Sequence, residues 1–334
     1  MNKVLITGGA GFIGSNFTLG YFKNNPEDQI VVLDKLTYAG RRKNLEAIAD
    51  SKRFRFIQAD LADAGAVNRI IAEGDFDSIV HMAAESHVDR SIDEPSVFIQ
   101  ANIVGTANLL DAIRGEGWGG DGQSRRRIFI HVSTDEVFGS LPAEGLFTEE
   151  SPIRPNSPYA ASKASADLLV RAAWKTHELP VISTHCSNNF GPYQFPEKLI
   201  PVIIRACLSG AEIPVYGQGL NIRDWIFVDD HCAALKLLLE KGRPGEIYNI
   251  GGNNEWRNID IVNLICELMQ ELKPSSGSYK DLIRFVSDRP GHDFRYAIDS
   301  SKMKRTLGWS ASKCFREAMA TTIRWYIDNP RFPE

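Results

Sequence analysis

The most constraining stretch of this chain lies near its start. A β-rich run, Lys3-Val4-Leu5-Ile6-Thr7, passes straight into Gly8-Gly9-Ala10-Gly11-Phe12-Ile13-Gly14 and then into a helical segment over residues 15–23. The glycines satisfy G-x-G-x-x-G at Gly9, Gly11 and Gly14, and also G-x-x-G-x-x-G at Gly8, Gly11 and Gly14. Positions without a side chain between a strand and a helix permit a tight turn. They also let the backbone approach a pyrophosphate, whose charge the helix N-terminus stabilises. Alone, the glycine string is weak evidence, since an ordinary α/β turn can carry it. Its context strengthens it: a second strand, Gln29-Ile30-Val31-Val32-Leu33, ends in Asp34, twenty positions after Gly14. An acid there bonds a ribose diol and favours NAD over NADP, because it repels a 2′-phosphate. Lys35, Arg41 and Arg42 pull against that preference.

Strand and helix keep alternating. Phe54-Arg55-Phe56-Ile57-Gln58 runs into Ala59-Asp60-Leu61, and Ser78-Ile79-Val80-His81 into Met82-Ala83-Ala84, as a doubly wound parallel sheet reads. Asp60 is expected near an adenine edge, and the small Ala83-Ala84 pair lets a cofactor lie close to the chain. His81, inside its strand, is expected to pack in the core. A long helix is expected over residues 94–114, with apolar residues at helical spacing around Phe98, Ile103, Ala107, Leu110 and Ile113. Residues 115–127 read as a solvated loop, and Arg125-Arg126-Arg127 as a surface face.

Ile128-Phe129-Ile130-His131-Val132 is a further buried strand, followed by Ser133-Thr134-Asp135-Glu136-Val137-Phe138-Gly139. Ligands of open parallel sheets bind at the carboxyl ends of strands, so two adjacent acids there suggest chemistry; the alternative is that they cap the next turn. Downstream, Ser157-Pro158-Tyr159-Ala160-Ala161-Ser162-Lys163 enters a helix continuing to about His177. Tyr159 and Lys163, at i and i+4, share a helical face. An ammonium beside a phenol is expected to lower the phenol's pKa from about 10, as a base for a sugar hydroxyl requires.

Beyond Val181-Ile182-Ser183-Thr184-His185 the pattern becomes less regular. Residues 194–223 mix Pro, Gly and Tyr with a short helix ending near Gly210, and Glu246-Ile247-Tyr248-Asn249-Ile250 reads as another strand. The fold expected is α/β: a Rossmann-type doubly wound parallel sheet from residues 1–185 and 224–252, with a smaller, discontinuous α/β substrate domain from residues 186–223 and 253–334. A chain of 334 residues, 43% hydrophobic and 24% charged, has ample material for that. Its formal charge of -4 offers no electrostatic reason to expect nucleic acid or an anionic membrane as partner. The five scattered cysteines read as reduced core residues of a cytoplasmic protein. Met1 to Ile6 does not resemble a signal peptide, and no uninterrupted apolar run looks long enough to span a bilayer.

With the glycine fingerprint, Asp34, Ser133-Thr134 and Tyr159-x-x-x-Lys163 in order, the chain resembles the extended short-chain dehydrogenase/reductases that act on nucleotide sugars, and among them the 4,6-dehydratases. Dehydratases of that family carry acids after the Thr, as in Thr134-Asp135-Glu136; 4-epimerases carry small uncharged residues. The resemblance extends through Asp34-Lys35-Leu36-Thr37-Tyr38-Ala39-Gly40, Glu85-Ser86-His87-Val88-Asp89-Arg90-Ser91, Arg223-Asp224-Trp225 and Arg289-Pro290-Gly291-His292-Asp293. It departs at Phe138, where the family usually has Tyr, and in a compact connection before Asn156. The first is expected to change packing rather than chemistry; the second leaves no room for a longer insertion over the site.

What the resemblance implies is specific. NAD would be held by Gly8, Gly11, Phe12, Ile13, Gly14, Asp34, Lys35, Thr37, Gly40, Asp60, Leu61, Ala83, Ala84, Tyr159 and Lys163, with no metal. Thr134, Asp135, Glu136, Tyr159 and Lys163 would be catalytic. Ser86, His87, Thr134, Glu197, Leu199, Pro214 and Tyr296 would contact substrate. Asn188, Lys198, Arg223, Arg289 and His292 would surround its pyrophosphate, Tyr216 would stack on the base and Asn258 would contact it. The substrate favoured is dTDP-glucose; UDP-glucose or another hexose nucleotide stays open, and 4-epimerisation is the lesser alternative. A homodimer is implied, built on helices over residues 94–114 and 159–177.

Overall fold

The computed structural model describes residues 1–120, 125–288 and 293–332. Its strands are β1 (Lys3–Thr7), β2 (Gln29–Asp34), β3 (Phe54–Gln58), β4 (Ser78–His81), β5 (Ile128–Thr134), β6 (Val181–Cys186), β7 (Asn188–Phe190), β8 (Ile213–Tyr216), β9 (Ile222–Phe227), β10 (Ile247–Ile250), β11 (Glu255–Arg257), β12 (Ile283–Val286) and β13 (Arg295–Tyr296). The helices are α1 (Phe12–Asn24), α2 (Ala64–Gly74), α3 (Val88–Asp93), α4 (Pro95–Phe98), α5 (Gly105–Gly115), α6 (Pro158–His177), α7 (Leu199–Ser209), α8 (Val228–Lys241), α9 (Asn258–Leu272), α10 (Ser301–Leu307) and α11 (Phe315–Asp328).

Seven strands pair in parallel in the order β10-β6-β5-β4-β1-β2-β3. Both faces are covered, which is why each strand reads as an apolar run. Val4 and Ile6 meet Phe17 of α1 and Leu235 and Leu238 of α8 on one side. Leu5, pointing the opposite way, packs with Val67 and Ile71 of α2, Leu109 and Ile113 of α5, and Val170 of α6. The strand order reverses between β1 and β4, so the connections leaving their carboxyl ends diverge and open a crevice. Gly8 shapes that point. Its φ is +71°, and a Cβ there would lie 2.6 Å from the Ala83 nitrogen, so only glycine lets the turn after β1 seat against the end of β4.

The smaller sheet takes β7, β9, β11 and β13, while β8 and β12 form a two-stranded ladder beside it. Its core joins Phe190, Ile203, Ile261, Ile265 and Met319, and Trp256 stacks on Phe315 with ring centroids 5.0 Å apart. The domain boundary expected between Arg223 and Asp224 falls inside β9, whose residues pair with β7, β11 and β13. The chain then returns through α8 to β10, at the edge of the main sheet.

The helix expected over residues 94–114 runs without a gap over Pro95–Gly115 but changes pitch in its middle. Pro95 opens α4, a π-helical segment spans Ile99–Val104, and α5 begins only at Gly105. Proline suits a first helical turn because its missing N–H has no partner there, and π segments occur as short stretches inside α-helices, often at functional sites. Here Asn102 accepts from the Glu85 backbone N–H at 2.9 Å and donates to the Glu85 carbonyl and the Ser162 hydroxyl. By length and mean hydropathy residues Pro95–Gly115 could cross a bilayer, although polar residues such as Gln100, Asn102 and Asp111 interrupt the run. The fold accounts for that character, since Phe98, Leu109, Leu110 and Ile113 are buried in it.

Candidate active site

A cleft of about 710 Å³ runs along the carboxyl ends of the main sheet. Every residue expected to hold the cofactor lines it, as do Thr134, Asp135, Glu136, Tyr159 and Lys163. At one end α1 starts at Phe12, earlier than the sequence suggests, with Gly11 as its N-cap, no capping side chain and no acid in the first turn. That leaves an anion-binding helix terminus. Asp34 is buried at the end of β2 and accepts from the N–H groups of Ala10 and Leu36 at 3.0 and 2.8 Å. The cations that pull against an NAD preference have partners within the protein. Lys35 pairs with Asp60 at 2.6 Å, Arg41 lies over the Phe332 ring and Arg42 over Phe56. The residues therefore fit an unphosphorylated dinucleotide.

At the centre of the cleft, β5 extends two residues further than expected, through Ser133 and Thr134, before a 3₁₀ turn over Asp135–Phe138. The cap of that turn is Thr134, whose hydroxyl accepts from the Glu136 N–H at 3.3 Å. Capping therefore does not account for the acids. Asp135 is buried, and burial first, then the neighbouring Glu136 charge, pushes its carboxyl well above the ordinary range. Phe138 packs with Phe147, its ring centroid 4.7 Å from that of His185. The compact connection after it is tied down by the Arg154 N–H donating to the Val137 carbonyl, and by Asn156 donating to Asp293.

Ser157 caps α6 by accepting from the Ala160 N–H, which places Tyr159 and Lys163 on the buried face of that helix. The expectation of a lowered Tyr159 pKa is corrected here. Burial, then the charge of Glu136, push the phenol well above its ordinary range, with the Thr134 hydroxyl pulling the other way. The Lys163 ammonium is directed to the Val132 carbonyl at 2.8 Å.

Behind this row lies a buried polar layer. His81 bonds the hydroxyls of Thr7 and Thr106 at 2.7 and 2.9 Å, in the core as expected. His131 stands 3.1 Å from Asp167 and is pushed down to about 4, chiefly by burial and then by Lys163. The unfolded chain therefore binds a proton at His131 between its ordinary 6.5 and about 4 that the fold does not. Stability should thus fall as pH drops through that window, by on the order of a few kcal/mol. Denaturant melts from neutral pH to about pH 4 check this: His131→Gln is expected to lose less stability over the range, and an equal loss in both proteins refutes it.

Of the residues expected at substrate, Ser86, Thr134, Asn188, Glu197, Lys198 and Leu199 line the cleft. His87 caps α3, with its imidazole 3.8 Å from Glu197. Pro214 and Tyr216 sit exposed on β8. Arg223 and Tyr296 are buried: the Arg223 guanidinium donates to the carbonyls of Ile222, Asp293 and Phe294 and lies 4.3 Å over the Tyr296 ring. The pair stands near the acids, Arg223 opposing the burial that raises the Asp135 pKa and Glu136 adding to the burial that raises that of Tyr296. Asn258 begins α9, and its Oδ1, like that of Asn188, is buried without a hydrogen-bonding partner, as suits contact with a polar ligand. Arg289 and His292 lie outside the described residues. Arg125 is held by Asp75 and Asp77, as a surface face should be. Cys314 is exposed, against the expectation of a core residue, because it immediately precedes α11.

Sequence reasoning did not assign a role to Tyr38, which donates to Glu197 at 2.9 Å and meets Phe195 edge-on at 5.6 Å. Lys198 adds a 2.6 Å bond to the Ser86 carbonyl. Together they tie the loops after β2 and β4 to the segment before α7, and no local pattern signals a contact between residues so far apart.

A cleft that starts at a dinucleotide turn and leads to Tyr159 and Lys163 defines an extended short-chain dehydrogenase/reductase. More narrowly, the chain belongs to the family described as GDP-mannose 4,6 dehydratase, which matches residues 5–322. It is 49% identical to dTDP-glucose 4,6-dehydratase 1 of Escherichia coli K12, over 99% of this chain and 94% of that one. To dTDP-glucose 4,6-dehydratase of Neisseria meningitidis serogroup B it is 50% identical, over 98% and 94%. The structure of DesIV, a dTDP-glucose 4,6-dehydratase from Streptomyces venezuelae with NAD and a dTDP ligand bound, superposes with a TM-score of 0.90 at 45% identity, covering 99% and 98% of the two chains. A UDP-glucose 4-epimerase of Thermus thermophilus, in complex with NAD, gives 0.85 at 27% identity over 97% and 99%.

Proposed function

We propose that this protein is an NAD-dependent hydro-lyase that converts dTDP-glucose to the 4-keto-6-deoxy sugar nucleotide. The carrying observation is the buried Asp135 beside Glu136, opening on the same cleft as Tyr159. NAD, when bound along Gly8 to Gly14 and Asp34, supplies an acceptor for the C4 hydrogen and later returns it at C6. Tyr159 takes the C4 hydroxyl proton while Thr134 bonds the same oxygen and Lys163 supports the phenolate. The C4 ketone acidifies C5–H. Glu136 removes that proton, and Asp135, kept protonated by burial, gives its own to the departing C6 hydroxyl. Finally a proton returns to C5.

In this reading the main sheet holds the cofactor and the smaller lobe the nucleotide. Asn188 and Lys198 lie toward the pyrophosphate, Tyr216 and Asn258 toward the base, and Ser86 and Glu197 toward the sugar. Incubation with dTDP-glucose is expected to yield the alkali-induced absorbance of a 4-keto sugar; its absence with every hexose nucleotide tried would remove the reading.

The protein is also read as a cytoplasmic homodimer. Ile92, Ile99 and Leu168 are 48%, 47% and 55% exposed on helical segments that pack against one another, and exposed apolar side chains of this kind are best covered by a partner. Light scattering is expected to give a dimer mass, with Ile99→Glu combined with Leu168→Glu shifting it to monomer. A monomeric wild type at working concentration counts against the dimer.

A further inference from the structure

The proposed reaction has no task for Asp167, yet the fold spends three polar groups on it. It sits on α6 one turn beyond Lys163 and two beyond Tyr159, so all three share a helical face. Ser133 donates to it at 2.9 Å, His185 bonds the same oxygen at 3.0 Å, and His131 stands 3.1 Å from the other. All four are buried. The carbonyl that receives the Lys163 ammonium belongs to Val132, the residue between His131 and Ser133.

An ammonium buried against one neutral carbonyl loses its proton readily unless an anion compensates it. The titratable groups that face Lys163 are Asp167 and Tyr159 on its own helix, His81 on β4, His131 on β5 and Cys186 on β6. Burial favours neutral histidines and holds the Tyr159 and Cys186 protons on. Asp167 is left as the anion of the set.

We propose that Asp167 is a positioning residue for the dehydration: fixed by Ser133, His131 and His185, it keeps Lys163 an ammonium on the Val132 carbonyl, on the Tyr159 face of α6. The inference rests on the role given to Lys163 above.

Two readouts test it in the NAD-loaded protein: the titration of Lys163 by isotope-edited NMR of the lysine Cε, its signal identified by loss in Lys163→Arg, and the pH dependence of the C4 oxidation step, followed by reduced-nicotinamide absorbance in a single turnover. In Asp167→Asn both the Lys163 titration and the alkaline limb of the oxidation step are expected to move down by about one pH unit or more. KM for dTDP-glucose should change little, and Asp167→Glu should restore both readouts. An unmoved Lys163 titration overturns the proposal. A titration that moves while the oxidation limb stays overturns the role of Lys163 on which it rests. The wild type provides a test that does not depend on the variant folding, since a Lys163 found neutral at neutral pH also overturns the proposal.

Discussion

The Asp135→Asn, Glu136→Gln double variant is expected to oxidise the substrate at C4 and stop there. Product formation should fall by about 10²–10⁴-fold or more, the range of general acid–base catalysis, while reduced nicotinamide accumulates on the protein. An amide at 135 has no acidic proton for the C6 hydroxyl, and one at 136 cannot take the C5 proton. The oxidation half should become easier, because the Glu136 charge is one of the causes holding the proton on Tyr159. Its acid limb is therefore expected at lower pH in the double variant than in the wild type. Stopped-flow absorbance reads both steps, and a variant that still forms the 4-keto-6-deoxy product shows that the acids do not carry the elimination.

Tyr159→Phe is expected to lose the first step. Removing the hydroxyl leaves the C4 proton without a base, a loss of about 10²–10⁴-fold in kcat. Among the described residues the Tyr159 hydroxyl bonds Thr134 alone, so NAD content and melting temperature should stay near those of the wild type. Tyr159 is anchored through its backbone N–H, which donates to the Ser91 hydroxyl at 3.1 Å, and its ring meets Phe98 at 6.4 Å between centroids; neither contact needs the phenol oxygen. Unchanged turnover in this variant would move the base elsewhere in the cleft.

Much of the cofactor end was legible because its determinants are local. Gly8 to Gly14 must follow a strand and precede a helix, and Asp34 must end the next strand, so spacing alone places them. Tyr159 and Lys163 are likewise one helical turn apart by geometry. The acid pair was legible as a feature, and as chemistry only through the family resemblance. Whether Asp135 and Glu136 cap the turn depends on where β5 ends, and the structure gives that cap to Thr134. The change of pitch before α5 was missed because apolar spacing does not report a π segment.

Local order, then, was determined by sequence: alternating strands and helices, a glycine turn backed by an acid, a tyrosine and lysine on one face. Only the tertiary structure decided the protonation of the site. Burial and the charge of Glu136 act on Tyr159 and Asp135 through space, and their strength depends on which side chains exclude water. It likewise decided that Arg223 lies against Tyr296, and that Tyr38 reaches Glu197. Asp167 shows the division most plainly. In the sequence it is one more acid on a helix, and it gains its partners only because β5 and β6 lie side by side beneath α6 and turn His131, Ser133 and His185 toward it.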